Sequence, residues 1–262
     1  MINQFSVSCD FKSYHQLERS NENSTSLNKY ISSTGICSRR EANVFIDEGR
    51  VTINNQIATL GNRVFDGDIV RLDNKLLNSK PEPIYIAFNK PVGIVCTTDQ
   101  KERKNIISYI NYKERLFPIG RLDKPSEGLI FLTNDGDIVN KILRAGNNHE
   151  KEYIVIVNSK INDRFIKRMS NGIPILGIKT KKCKVVQIND KSFNIILTQG
   201  LNRQIRRMCE YLGYDVTRLI RTRIMNVELA DLKVGKWRKL TKKEIDIINQ
   251  MVSDSSKTEE AS

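Results

Sequence analysis

The spacing of apolar residues changes sharply along this chain, and that change sets how many folding units it can form. Leu27, Tyr30 and Ile31 fall at helical spacing, and Gly35 follows as a left-handed stop. Ser38 and Glu41, three residues apart, form a capping box ahead of Ala42, Phe45 and Ile46, and Gly49 closes this second helix. From Val51 the period shortens: Val51, Ile53, Ile57, Ile69, Val70 and Leu72 mark short strands around the turns Asn54-Asn55 and Asp66-Gly67. Elements this short cannot persist alone, so they predict one α-α-β unit over residues 27–75. Residues 74–83 then hold two prolines and several polar side chains, and 76–83 read as a linker.

Beyond the linker, apolar runs and alternation predict strands at 84–88, 129–132, 153–157, 184–188, 193–198 and 224–229. Helical spacing predicts helices at 105–111, 137–144, 163–171, 202–212 and 241–251. The larger unit, 84–252, is therefore expected to carry a mixed, mainly antiparallel central sheet flanked by helices, and the fold class is α+β. Residues 1–26 and 253–262 are polar and aperiodic, and they read as a disordered extension and a disordered acidic tail.

No apolar run approaches the roughly 20 residues of a membrane span, and the first 26 residues lack a signal-peptide core. A cytoplasmic protein without membrane contact is expected. The five cysteines form no CxxC pair and only His15 and His149 accompany them, which argues against a disulfide framework and against a zinc site. Neither a P-loop nor a dinucleotide fingerprint occurs. The formal charge of +13 is unevenly placed, with 33 Lys and Arg against 18 Asp and Glu between residues 76 and 252. A positive field on the larger unit points to a polyanionic partner.

Six arginines lie between Gln199 and Arg223: Arg203, Arg206, Arg207, Arg218, Arg221 and Arg223. Three of them sit near the start of a helix whose apolar stripe is Ile205, Met208, Cys209 and Leu212, with Asn202 and Gly213 at the cap positions. A solvated basic face would serve as well with lysine, whereas arginine alone suits bidentate phosphate contact and base stacking. The run PIGRLDKPSEGLIFLT, residues 118–133, places Asp123 between Arg121 and Lys124 in a loop that enters a strand. Flanking cations favour an ionised carboxylate, fit for a nucleophile or a base, although a loop aspartate of this kind is more often an ion pair or turn cap. Tyr153 shares a strand face with Val155 and Val157, which fits a core tyrosine at least as well as a platform for a base.

The segments GRLDKPSEGLIFLTNDGD, HEKEYIVIV and GLNRQIRRMCEYLGYDVTRLIRTRI closely resemble the RsuA-like pseudouridine synthases, in the order that family has them. Residues 27–77, with SRREA at 38–42, resemble the S4 RNA-binding module that precedes the catalytic domain there. The phrases NKPVGIV, KILRAGN and TRIMNV are most similar to members that act on large-subunit (23S) ribosomal RNA. The resemblance implies isomerisation of uridine to pseudouridine without a cofactor or metal. Carried residue by residue, it makes Asp123 the catalytic aspartate, Tyr153 the ring stacked on the uracil and Arg206 the partner of the aspartate. Ile220 becomes an aliphatic residue of the pocket. Arg121, Lys124, Arg203 and Gln204 are expected to contact RNA around a flipped nucleotide, with Arg207, Arg221 and Arg223 in the same basic surface and Lys29, Arg39 and Arg40 on the S4 unit. A monomer is expected, with a tRNA anticodon region as a further candidate substrate. The competing reading is a noncatalytic S4-type RNA-binding protein of ribosome assembly. DNA is not an expected partner, because neither a zinc finger nor a helix-turn-helix is evident.

Overall fold

Caps and tight turns shape the first unit. The structure, a computed structural model, describes residues 24–77, 80–143 and 148–253. They fall into two units, one running to Pro81 and the other starting at Glu82. The first contains β1 (Thr25–Ser26), α1 (Leu27–Ser33), α2 (Arg39–Asp47), β2 (Val51–Ile53), β3 (Gln56–Ile57), β4 (Arg63–Val64), β5 (Val70–Leu72) and β6 (Lys75–Leu76). The capping box forms as read: Glu41 N–H donates to Ser38 Oγ at 3.1 Å, and Ser38 N–H donates to Glu41 Oε2 at 2.6 Å. Asn54 and Asn55, both at positive φ, turn β2 into β3. Leu27, Ile31, Ala42, Ile46, Val51 and Val70 close one small core beneath the helices.

Both edges of this unit differ from the expectation. Asp73 and Asn74 take φ of 49° and 63°, so the chain turns back into β6, and Leu77 is buried with its N–H on the Val70 carbonyl at 2.9 Å. The unit thus continues through Leu77, where a linker was expected from residue 76. At the other end β1 pairs with β4, and Arg63 donates through Nη2 to the Ser24 carbonyl at 2.7 Å, so residues 24–26 belong to the fold. Residues 1–23 and 254–262 of the expected tails lie outside the described residues.

The second unit contains β7 (Tyr85–Lys90), α3 (Ile106–Ile110), β8 (Phe117–Ile119), β9 (Glu127–Thr133), α4 (Gly136–Leu143), β10 (Lys151–Val157), α5 (Asp163–Ser170), β11 (Pro174–Ile175), β12 (Ile178–Lys179), β13 (Lys184–Asn189), β14 (Ser192–Leu197), α6 (Gln204–Tyr211), β15 (Val216–Ile224), β16 (Val227–Glu228), β17 (Trp237–Lys239) and α7 (Lys242–Ser253). Its nine-stranded sheet runs β13-β14-β10-β15-β9-β7-β17, with β8 added to β9 and β16 to β15. The β9 and β15 pair is parallel, and the other pairs are antiparallel. All seven residues of β9 are buried, which explains its unbroken apolar run. Leu129 and Phe131 pack with Ile138, Ile142 and Ile248 on one face, and Ile130 and Leu132 with Ile94 and Ile106 on the other. Each such side chain contributes roughly 1.5–3 kcal/mol by burial.

Two predicted elements shift. The strand expected at 224–229 is the end of a hairpin: β15 occupies Val216–Ile224, and Met225 at φ 53° begins the turn to β16. The helix expected from 202 starts at Gln204, because the Asn202 side chain accepts from Arg207 Nη2 at 3.3 Å and does not cap the backbone. Arg144, the last residue of the helix expected at 137–144, lies outside the described residues. Among the described residues no helix is long and apolar enough to cross a membrane, and no group of His, Cys, Asp and Glu could hold a metal ion.

Candidate active site

The loop between β8 and β9 carries Asp123 into a cleft of about 1080 Å³ in the second unit. That loop is pinned on both sides of the aspartate. Gly93 N–H donates to the Lys124 carbonyl at 2.8 Å, and Leu122 N–H donates to Cys96 Sγ at 3.4 Å. Both partners come from the turn after β7, which Lys90 organises from a fully buried position. Its Nζ donates to the carbonyls of Pro91 at 2.8 Å and Ile94 at 2.9 Å. Burial pushes the Lys90 ammonium below its ordinary value, and the charges of Asp123 and Glu127 oppose that shift.

Strand β10 supplies Lys151 and Tyr153 to the same cleft, two residues apart on one face. Lys151 Nζ donates to the His149 carbonyl at 3.0 Å, and burial together with the Arg221 charge pushes this lysine down to about 8. Glu152, on the other face, accepts from Arg223 Nε at 2.8 Å and from Asn194 at 2.7 Å, and Arg223 Nη2 reaches Glu150 at 2.9 Å. The Arg223 hydrogen bond holds the Glu152 carboxyl below the usual carboxylate range. A register shift between Glu152 and Tyr153 explains how two arginines two residues apart serve opposite faces. Glu152 pairs with Arg223 and Tyr153 with Arg221, leaving Thr222 as the extra residue of a bulge.

The third wall is α6. Arg203 precedes it in a left-handed conformation at φ 51°, exposed on the cleft. Arg206 is buried and holds the Asp123 loop through backbone and hydroxyl: Nη2 donates to the Pro125 carbonyl at 3.1 Å and to Ser126 Oγ at 3.2 Å, and Nη1 to the Val216 carbonyl at 3.0 Å. Burial and neighbouring Arg203 lower its pKa, and the charge of Asp123 opposes them. Asp123 is the sole carboxylate among the described residues that line the cleft, and Arg121, Lys124, Lys151, Arg203, Arg206 and Arg221 line it too.

Comparison with known proteins decides the family. The chain is 56% identical over 237 residues to the dual-specificity RNA pseudouridine synthase RluF of Salmonella typhi, spanning 90% of this chain and 82% of that protein. This chain is an RNA pseudouridine synthase of the RsuA-like family. The RluF of Escherichia coli K12 is 54% identical over the same span, and the ribosomal large subunit pseudouridine synthase B of Bacillus subtilis is 33% identical over 84% of this chain and 93% of its own. The RNA pseudouridylate synthase family profile matches residues 84–211 and the S4 domain profile residues 25–70. A crystal structure of a pseudouridylate synthase superposes with a TM-score of 0.62 at 29% identity, over 85% of this chain and 99% of that one.

In this synthase the cleft gathers Asp123, Tyr153, Arg206, Arg121, Lys124, Arg203, Gln204 and Arg221. It does not gather Ile220. Alternation along β15 turns Leu219 and Arg221 into the cleft, so Leu219 joins its aliphatic lining and Ile220 faces away. Arg206 makes no ion pair with Asp123 and acts on the neighbouring peptide instead. Gln204 is buried, accepts from Leu201 N–H at 3.0 Å and donates to Met208 Sδ at 3.9 Å, so its amide is engaged inside the fold. Arg223 is spent on Glu150 and Glu152 behind the cleft, and Arg207 on Asn202 at its edge. In the S4 domain, Arg39 and Arg40 are exposed at the start of α2, and Lys29 is half-buried on α1. Lys151, Lys90, Cys96 and Leu219 escaped the sequence reading. Only Lys151 and Leu219 had a signal, by alternation with Tyr153 and Arg221.

Proposed function

We propose that this synthase isomerises a uridine of large-subunit ribosomal RNA, with Asp123 as its catalytic carboxylate. The observation that carries the reading is the single carboxylate set among six cations in a cleft that also presents Tyr153. In the reaction the bond from uracil N1 to C1′ breaks, the base turns, and C5 joins C1′. The proton lost from C5 is balanced by one gained at N1. Breaking the glycosidic bond builds positive charge at the sugar, which an ionised carboxylate stabilises or captures. Arg206 holds the loop of the aspartate through Pro125 and Ser126.

Tyr153 packs against two core clusters, so its ring is a fixed platform on which a flipped uracil stacks. Arg121, Lys124 and Arg203 stand exposed at the rim, where the backbone of the everted nucleotide passes. Arg39 and Arg40 on the S4 domain add RNA affinity. The "large subunit" in the name of the Bacillus subtilis relative supports ribosomal RNA as substrate, and the "dual-specificity" of the RluF relatives supports a second RNA, for which a tRNA anticodon region is the candidate. Such substrates support a cytoplasmic enzyme, and a monomer is part of the same proposal. Pseudouridine mapping on unmodified ribosomal RNA and tRNA incubated with the purified chain tests the substrate. A new pseudouridine in large-subunit rRNA is expected, and product confined to small-subunit rRNA or to tRNA would overturn the assignment.

A further inference from the structure

We propose that Arg221 is a positioning residue, a buried brace that joins the strand leaving the Asp123 loop to the strand carrying Tyr153, and not a contact to the RNA backbone. The inference rests on the catalytic reading of Asp123 and Tyr153 above. Arg221 is 4% exposed. Its Nε donates to the Leu129 carbonyl of β9 at 2.6 Å, and its Cζ lies 6.0 Å from the centre of the Tyr153 ring. Register puts the same residue opposite Gly128 on one side and opposite Tyr153 on the other. The approach to β9 is so close that a Cβ on Gly128 would stand 2.3 Å from the Arg221 carbonyl oxygen.

The side-chain type matters here. A planar guanidinium can donate sideways through Nε while its face lies along an aromatic ring, whereas an ammonium offers a point charge and cannot do both. The bulge at Thr222 sends Arg223 to the opposite face, so Arg221 alone of that pair meets Tyr153. Its Nη2 is buried and has no hydrogen-bond partner among the described residues, which is no place for a phosphate ligand in the free enzyme.

The test uses the full chain and a large-subunit rRNA fragment, with single-turnover rate at saturating enzyme and RNA affinity across salt measured separately. Arg221→Lys is expected to lower the saturating rate on the order of 100-fold, the cost of misplacing a reacting group by about 1 Å. Affinity and its salt slope stay at the wild-type values. In a Tyr153→Leu background the same substitution is expected to cost no more than about twofold, since its effect runs through the ring. Two results would overturn the proposal: weaker affinity with a salt slope reduced by about one at an unchanged saturating rate, which marks a phosphate contact, or equal rate losses in both backgrounds. If Arg221→Lys does not fold, Arg221→Met fills the same space without a buried charge and is judged by the same outcomes. If wild type makes no product on this fragment, the substrate reading fails, and the brace is tested on the RNA that the mapping identifies.

Discussion

Gly128→Ala probes the close approach of β9 and β15 that sets the spacing of the active site. Gly128 has φ of 107°, and a Cβ there would lie 2.3 Å from the Arg221 carbonyl oxygen and 2.6 Å from its nitrogen. Both are backbone atoms of the paired strand, so no rotamer change relieves the overlap. Two costs add. Placing a Cβ at positive φ costs roughly 1–2 kcal/mol, and prising packed strands apart costs roughly 1–3 kcal/mol more. Gly177→Ala is the matched control, because its φ is 76° and nothing lies within 4 Å of the added carbon. The two variants should therefore differ by about 2 kcal/mol. For a unit of roughly 150–250 residues each kcal/mol moves the melting temperature by about 2–4 °C, so Gly128→Ala should melt about 4–8 °C below Gly177→Ala. Thermal unfolding followed by circular dichroism reads the gap. Equal melting temperatures for the two variants would refute the close-approach argument.

Leu219→Val should lower the single-turnover rate roughly tenfold, while Ile220→Val leaves it near wild type, because of these two neighbours Leu219 alone lines the cleft; the reverse order would restore Ile220 to the pocket. Arg40→Ala should weaken RNA binding and reduce the slope of log affinity against log salt by about one, read by titration at several salt concentrations. Glu244 is held down to about 2, chiefly by Arg238, whose Nη2 lies 2.7 Å from its carboxylate, with burial opposing and Thr241 assisting. A carboxylate that titrates near 4.3 when unfolded then stabilises the fold above about that pH, and the contribution is lost as pH falls toward 2. The melting gap between wild type and Glu244→Gln should accordingly be full at neutral pH and close as the solution is acidified below about 4.

Legibility in this sequence follows the range of the interactions concerned. The capping box at Ser38 and Glu41 is local, and it forms as read. Asn54-Asn55 and Asp73-Asn74 adopt the same left-handed pair of conformations, yet only the first reads as a hairpin turn. Ile53 and Ile57 flank it, whereas the second runs into Lys75 and a stretch with two prolines. β15 hid behind its arginines, since Arg218, Arg221 and Arg223 break the apolar alternation and the bulge at Thr222 breaks its register. Ile220 was carried over from the resemblance, and its neighbour Leu219 lines the cleft instead, since a shift of one residue on a strand exchanges the two faces. Asp123 had little to mark it locally, and only the resemblance singled it out. What fixes it, the Gly93 amide, the Cys96 sulfur and the Arg206 guanidinium acting on its neighbours, comes from segments far away in sequence.

The most direct test of the account is single-turnover pseudouridine formation by Asp123→Asn on large-subunit rRNA, with RNA binding measured on the same preparation. Asparagine keeps the size of the side chain and removes its charge, so the loop held by Gly93, Cys96 and Arg206 should stay in place. Wild-type RNA affinity with no pseudouridine is the predicted result. Pseudouridine formed by Asp123→Asn at the wild-type rate would contradict the account and move the catalytic role to another residue of the cleft.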